Sequence, residues 1–293
     1  MRLFVFGLGY TASAIAARLP GARIAATGSA GNVAFDDAER VRFEIAQATH
    51  ILSSVPPGED DPVLAAYGDT LAANGAWLGY VSSTGVYGDT GGAWVDESAP
   101  TGSGRRSTRA AADAAWLALG ARVFRLPGIY GPGRSPLDRI RAGDTLRINV
   151  PGQVFSRVHI DDIASGVIAG FDAPSGAYNL ADDQPAPKSD VTAFGCRLLG
   201  LPVPPLVPLK DANLSPAARA FYLENRRVAN GKAKRVLRWR PTWPDYRLGL
   251  RALSASTSPA PASSAPAAAS SDQRYPSNSV ESSIANTGMM TLE

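Results

Sequence analysis

Leu3-Phe4-Val5-Phe6-Gly7-Leu8-Gly9-Tyr10-Thr11-Ala12 is the stretch on which the fold turns. Its four consecutive apolar residues read as a strand buried on both faces. The glycines and Ala12 then fit the pattern G-x-G-x-x-G/A. Gly7 permits a tight turn, Gly9 lets a pyrophosphate approach the backbone, and small Ala12 allows the next helix to pack closely on the strand. Tyr10 and Thr11 lie in the same turn, where the amides and dipole of the helix face the phosphates. Ala12, Ile15, Ala16 and Leu19 recur at i, i+3, i+4 and i+7, one helical face. A plain glycine turn would explain the motif in isolation; its β-α-β setting favours dinucleotide binding.

The pattern repeats outward from this unit. Strands are expected at Arg23–Thr27, in a short run Asn32–Phe35, at His50–Val55, Trp77–Ser82 and Ala121–Leu126. Helices are expected at Ala38–Gln47 and Asp61–Ala73, on the face marked by Ala112, Ala115, Trp116 and Leu119, and on Ile160, Ile163, Val167 and Phe171. Alternating apolar strands and amphipathic helices predict an α/β Rossmann fold, a doubly wound parallel sheet covered on both faces. A small C-terminal substrate lobe is expected from 132–157 and 175–253. Residues 1–253 make one NAD(P)-binding domain, and 254–293, an Ala/Ser/Pro-rich stretch, read as a disordered tail.

Composition narrows the function. The 293 residues are 45% hydrophobic and 19% charged, with a net charge of +3, too mild to argue for nucleic acid. The single cysteine, Cys196, excludes an internal disulfide framework, and the 2 histidines, His50 and His159, leave no multi-histidine metal site. No apolar run approaches the ~18 residues of a membrane span. The apolar N-terminus breaks at Gly7 without a cleavage signal, so a cytoplasmic protein acting on a small molecule, away from membranes, is expected.

An NAD site places an acidic residue at the end of the second strand, about 20 residues after the glycine motif. Thr27-Gly28-Ser29 stands there instead, with no carboxylate, and Ser29 can donate to a phosphate. NADP is therefore the expected cofactor, with NAD the alternative. Asp36 has two readings, an acceptor for the adenine amino group or a helix cap for 38–47. Ser54 and Val55, at the end of the His50–Val55 strand, join the cofactor residues.

Four motifs together carry a resemblance: Gly7-x-Gly9-x-x-Ala12; Ser82-Ser83-Thr84-Gly85-Val86-Tyr87-Gly88; Arg125-Leu126-Pro127-Gly128-Ile129-Tyr130-Gly131-Pro132; and Val158-His159-Ile160-Asp161-Asp162-Ile163. In order and spacing the chain resembles the extended or atypical short-chain dehydrogenase/reductase superfamily, the NAD(P)-dependent epimerase/dehydratase group, over about residues 1–250. The resemblance implies that Ser83, with Thr84 beside it, polarises the substrate oxygen, and that Pro127, Gly128 and Ile129 line the nicotinamide. Asp161-Asp162 reads as a cap of the next helix and His159 as structural. Tyr130, Arg134 and Arg157 are substrate-side candidates. Tyr222, Asn225 and Arg226 could join them, although a basic surface helix explains them equally well.

The departure is the family's Tyr-x-x-x-Lys pair. No tyrosine is followed by lysine at i+4, and the four lysines all lie at or beyond Lys188. The aligned positions are Arg105 and Arg109. Arg109 can hold the cofactor ribose or a phosphate, but a guanidinium stays protonated and Arg105 cannot supply a proton. Tyr87, Tyr130 or water are the remaining acids. Two functions stay open: an oxidoreductase or epimerase-like enzyme with a non-standard site, acting on a small anionic or sugar-nucleotide-like substrate, and a non-catalytic NADP(H)-binding sensor.

Overall fold

A computed structural model describes residues 1–104 and 107–256. The chain opens with β1 (Arg2–Phe6), α1 (Tyr10–Ala16), β2 (Arg23–Ala26), α2 (Ala38–Gln47), β3 (His50–Ser53), α3 (Pro62–Ala72) and β4 (Trp77–Ser83). A two-residue strand β5 (Trp94–Val95) and α4 (Ser107–Ala118) precede β6 (Arg122–Leu126). The central sheet has six strands, all parallel, in the order β10-β6-β4-β3-β1-β2, with β10 at Gly176–Asn179. Strand order reverses between β1 and β3, and the C-terminal edges there open a crevice, the usual ligand position in such sheets.

Side chains of β1 alternate across the sheet and both sets are buried. Leu3 and Val5 pack with Ile15, Ile163 and Val167 on one face, whereas Phe4 and Phe6 pack with Val41, Val63 and Trp116 on the other. The continuous apolar run thus follows from helices covering both faces. Asp61 caps α3 through Oδ1 and accepts the Trp116 indole N–H through Oδ2 at 2.9 Å. Trp116 in turn stacks on Tyr80 with ring centroids 5.3 Å apart.

Two expectations change. Asn32–Phe35 is a loop, because the carboxamide of Asn32 accepts the Ala26 N–H (2.9 Å) while the Asn32 and Val33 amides donate to the Ala26 carbonyl. That contact closes the end of β2 before another strand can pair. Gly176–Asn179, expected in the lobe, is the edge strand of the central sheet, and Arg125 of β6 donates from beneath it into the core.

The remaining chain builds a lobe of short pieces. β7 (Gly128–Tyr130) pairs with β9 (Arg157–His159), β8 (Arg147–Asn149) with β11 (Leu206–Pro208), and β5 with β12 (Arg227–Val228). Between them lie α5 (Pro136–Arg141), α6 (Ile160–Ala169), α7 (Lys188–Leu198), α8 (Pro216–Ala220), α9 (Gly231–Val236) and α10 (Tyr246–Ser256). α10 carries three residues past the expected tail boundary at Ser254; positions 257–293 lie outside the described residues. Its Leu250 and Leu253 are buried against Tyr130, Leu137 and Val191. Among the described residues, no helix is long and apolar enough to cross a membrane.

Candidate active site

The glycine turn is built as its residue types require. Gly7 has φ +82°, and a Cβ there would lie 2.9 Å from the Val55 side chain. Its N–H donates to the Thr27 hydroxyl at 3.1 Å and its carbonyl accepts from Ser54 Oγ at 2.5 Å. Val55 and Thr27 therefore shape the turn from behind. Gly28, at φ +101°, keeps its backbone against the Leu8 amide, 3.0 Å from where a Cβ would stand. Above Gly9, by contrast, no atom lies within 4 Å of a Cβ position, so its backbone faces open space. Ala12 of α1 is buried in the core cluster that holds Leu3 and Val5 of β1. Ser29 and Asp36 are exposed beyond β2, and the α2 cap is Asp37, whose carboxylate accepts the Arg40 N–H at 3.1 Å. Of the two readings of Asp36, the cap is thus taken by its neighbour.

A cleft of about 1140 Å³ runs from this turn into the lobe. Gly9, Tyr10, Thr11 and Ser54 line one end, and Pro127, Gly128 and Ile129 line the strand edge. Ser83 and Thr84 face it from the end of β4. The Ser83 Oγ accepts the Gly85 N–H at 3.1 Å, which leaves its own proton free to donate. Arg109, in the first turn of α4, also lines the cleft and donates to the Tyr80 hydroxyl at 3.0 Å. Burial pushes the Tyr80 phenol up to about 12 against the opposing pull of Arg109, so it stays protonated. Arg105 lies outside the described residues. Arg134 sits over the Tyr10 ring, 4.4 Å from its centroid, and Tyr10 donates to the Pro132 carbonyl at 2.9 Å. Tyr10 thus ties the glycine turn to the loop that carries Arg134.

Other candidates serve the framework. Tyr87 is buried: its hydroxyl donates to Asn179 Oδ1 at 2.8 Å and accepts from Arg125 at 2.9 Å. With burial pushing it up to about 12 and both hydrogen-bonding roles used, Tyr87 does not face the cleft as an acid. Arg125 also grips Asp113 with two hydrogen bonds, at 3.0 and 2.7 Å, and Ser82 donates to the same carboxylate at 2.6 Å. This network, joining α4 to β4 and β6, is invisible in linear spacing. The Tyr130 ring reaches the cleft wall, but its hydroxyl is turned onto Gly249 of α10 with no partner, and burial raises its pKa. Arg157 is pinned by the carbonyls of Phe155 (2.8 Å) and Ala186 (3.0 Å), leaving it a structural cation at the cleft floor.

The cap of α6 is His159, whose Nδ1 accepts the Asp161 N–H at 3.2 Å, rather than the aspartate pair. Asp161 pairs with Arg18 at 3.0 Å, and Asp162 accepts the amides of Thr242 (2.7 Å) and Trp243 (3.1 Å), clamping the C-terminal segment. Asn225 pins loops through Gly152, Val154 and Asp89, whereas Tyr222 and Arg226 do line the cleft. Lys188, Arg139 and Phe155 also line it and went unrecognised in the sequence. They belong to segments whose periodicity is weak, and no local signal marks them.

A doubly wound sheet, a glycine turn open above Gly9 and a hydroxyl at the end of β4 define a Rossmann-type fold whose cleft continues into the lobe. The chain is 42% identical to a functionally unknown conserved protein from Silicibacter pomeroyi DSS, with a TM-score of 0.78 over 87% of this chain and 98% of that one. It also superposes on the human epimerase family protein SDR39U1 in complex with NADPH, with a TM-score of 0.69 at 17% identity, covering 87% and 99% of the two chains. A 3-diazoavenalumate denitrifying reductase from a Streptomyces species is 30% identical over 144 residues, 45% of this chain; the match spans about half of that curated relative, 46% of its length. No family profile matches the chain. The chain belongs to one family with the Silicibacter protein and shares the fold of the human epimerase family structure.

Proposed function

We propose that this protein is an NAD(P)-dependent oxidoreductase or epimerase-like enzyme, with NADP(H) preferred, acting on a small anionic substrate. The observation that carries this reading is the single cleft that joins the open glycine turn to Ser83, Arg109 and the lobe. The residues present suit a dinucleotide: Gly9 offers bare backbone to a pyrophosphate, and Arg109 and Arg134 offer charge on either side. The bound nicotinamide would supply or accept the hydride. Ser83 donates a hydrogen bond to the substrate oxygen that gains charge, and Pro127 to Ile129 form the apolar wall beside it. Human SDR39U1, solved with NADPH, and the Streptomyces reductase support the cofactor class and the redox reading.

Calorimetric titration tests the claim. NADPH is expected to bind more tightly than NADH, because no carboxylate at Thr27-Gly28-Ser29 repels a 2′-phosphate. Gly9→Val should abolish binding of both without lowering the melting temperature, since its side chain would fill only open space. Equal affinities, or an NADH preference, reject the cofactor choice, and no binding of either rejects the function. The second reading, a cofactor sensor, is favoured by one observation, the arginine at the family's lysine position. Tight NADPH binding with no turnover of any carbonyl or alcohol would select it.

A further inference from the structure

The lobe end of the cleft holds a corner that the hydride chemistry does not use. Lys188 opens α7 and lines the cleft; of the four lysines, it alone does so. Among the described residues it forms no ion pair, whereas its cationic neighbour Arg139 is paired with Asp144 at 3.0 Å. Arg226, further along the wall, is likewise paired with Glu224 at 2.9 Å. Tyr222 faces the same corner. Its side chain is nine-tenths buried (9% exposed), yet its hydroxyl has no hydrogen-bond partner. Tyr222 packs with Ile148 of β8, the strand against which α7 packs, and Arg139 acts electrostatically on both Lys188 and Tyr222. Pro187 gives α7 no side-chain cap, so its first amides add donors there.

The walls beside this corner are apolar. Phe155 is joined by a two-way backbone bridge to Ala186, two residues before Lys188, and its ring meets Tyr222 edge-on at 5.7 Å. Phe221 and Leu146 stand at the mouth, 47% and 44% exposed. The buried, unpaired Tyr222 hydroxyl costs free energy until a ligand satisfies it, whereas the Lys188 ammonium is exposed in the cleft and free to pair with one.

We propose that this corner binds the carboxylate of an organic acid through Lys188 and Tyr222, with the acid's apolar body lying along Phe155, Phe221 and Leu146. The inference rests on the enzyme reading above and names its substrate class. One unpaired cation suits a monoanion. The diphosphate of a sugar nucleotide would need at least a second; Arg134 stands over Tyr10 at the glycine-turn end, Arg109 is turned to the Tyr80 hydroxyl, and Arg157 is held by the carbonyls of Phe155 and Ala186. Desolvation, and then Arg139, pull the Lys188 pKa down against the opposing pull of Asp144, and an arriving carboxylate offsets the repulsion from Arg139.

The test uses the full chain and three probes, hydrocinnamate, its neutral amide and UDP-glucose, titrated with and without saturating NADPH. Hydrocinnamate should bind at least tenfold more tightly than the amide, because charge-assisted hydrogen bonds are worth about ten- to a hundredfold. Lys188→Met should erase that difference, Lys188→Arg should keep most of it, and Tyr222→Phe should weaken the acid a few-fold more than the amide. NADPH affinity should stay unchanged in all three variants. Equal binding of acid and amide, indifference to Lys188→Met, or tighter binding of UDP-glucose than of the acid would overturn the proposal. Failure of NADPH to bind, with Lys188-dependent acid binding intact, would instead overturn the enzyme reading and leave the acid site standing.

Discussion

At the scale of the residue, Ser83 and Arg109 share one cleft and divide its tasks. Ser83 keeps a free proton at the end of β4, so Ser83→Ala should lower turnover by ~10²–10³ while NADPH affinity stays nearly constant. Arg109→Ala should do the reverse and weaken the cofactor first, because the Tyr80 hydroxyl aims its guanidinium at the cleft. Stopped-flow turnover on an accepted substrate, with calorimetry alongside, separates the two. A Ser83→Ala variant with full turnover would remove the serine from the chemistry. Asp182 makes a different prediction. It is buried with one carboxylate oxygen unpartnered, and burial pushes it up to about 8 in spite of Arg157. The folded state therefore holds a proton that the unfolded chain releases near pH 4. Stability is fully present at acid pH and declines as pH rises from the unfolded value through about 8. Asp182→Asn should flatten that decline, measured as melting temperature between pH 5 and pH 8.5.

At the scale of the element, the contact between α4 and β6 joins apolar packing to one buried ion pair. Asp113 and Arg125 are 1% and 4% exposed, and Arg125 carries the hydrogen bond to Tyr87. Asp113→Ala would leave a buried guanidinium uncompensated, at a cost of about 3–5 kcal/mol. Urea unfolding should show that loss, and Asp113→Leu with Arg125→Met should recover much of it. If Asp113→Ala unfolds at the wild-type midpoint, the network does not hold the helix. The short elements of the lobe show why some roles shifted. Tyr130 follows a family motif, yet α10 lays Gly249 directly against its hydroxyl, so the side chain packs there instead of meeting substrate. His159 caps α6 because its imidazole reaches the Asp161 amide, which frees Asp162 to clamp Thr242 and Trp243.

At the scale of the whole molecule, the stable body reaches Ser256, where α10 closes over the cluster of Tyr130, Leu137 and Val191. Residues 257–293 are rich in Ser, Ala and Pro and poor in large apolar side chains. Deleting them should move the melting temperature by no more than about a degree or two. Cutting before Tyr246 should cost far more, because it strips Leu250 and Leu253 from the core. Differential scanning calorimetry of both truncations compares them.

By itself the sequence determined five strands of the parallel sheet, the helices between them and the glycine turn, because these are local: a period of 3.6 or an unbroken apolar run marks an element wherever it packs. The turn at Gly7 and the hydroxyl at Ser83 were legible for the same reason, each following directly from a strand end. Only the tertiary structure decided which polar groups face the cleft. Tyr87, Tyr130 and Arg157 are turned inward by partners distant in the chain, namely Asn179, Gly249 and Ala186. Lys188 and Tyr222 are brought to one cleft wall through β8, against which α7 packs and whose Ile148 packs with Tyr222. A buried polar group goes where its hydrogen bonds are satisfied, and that depends on neighbours in space rather than in sequence.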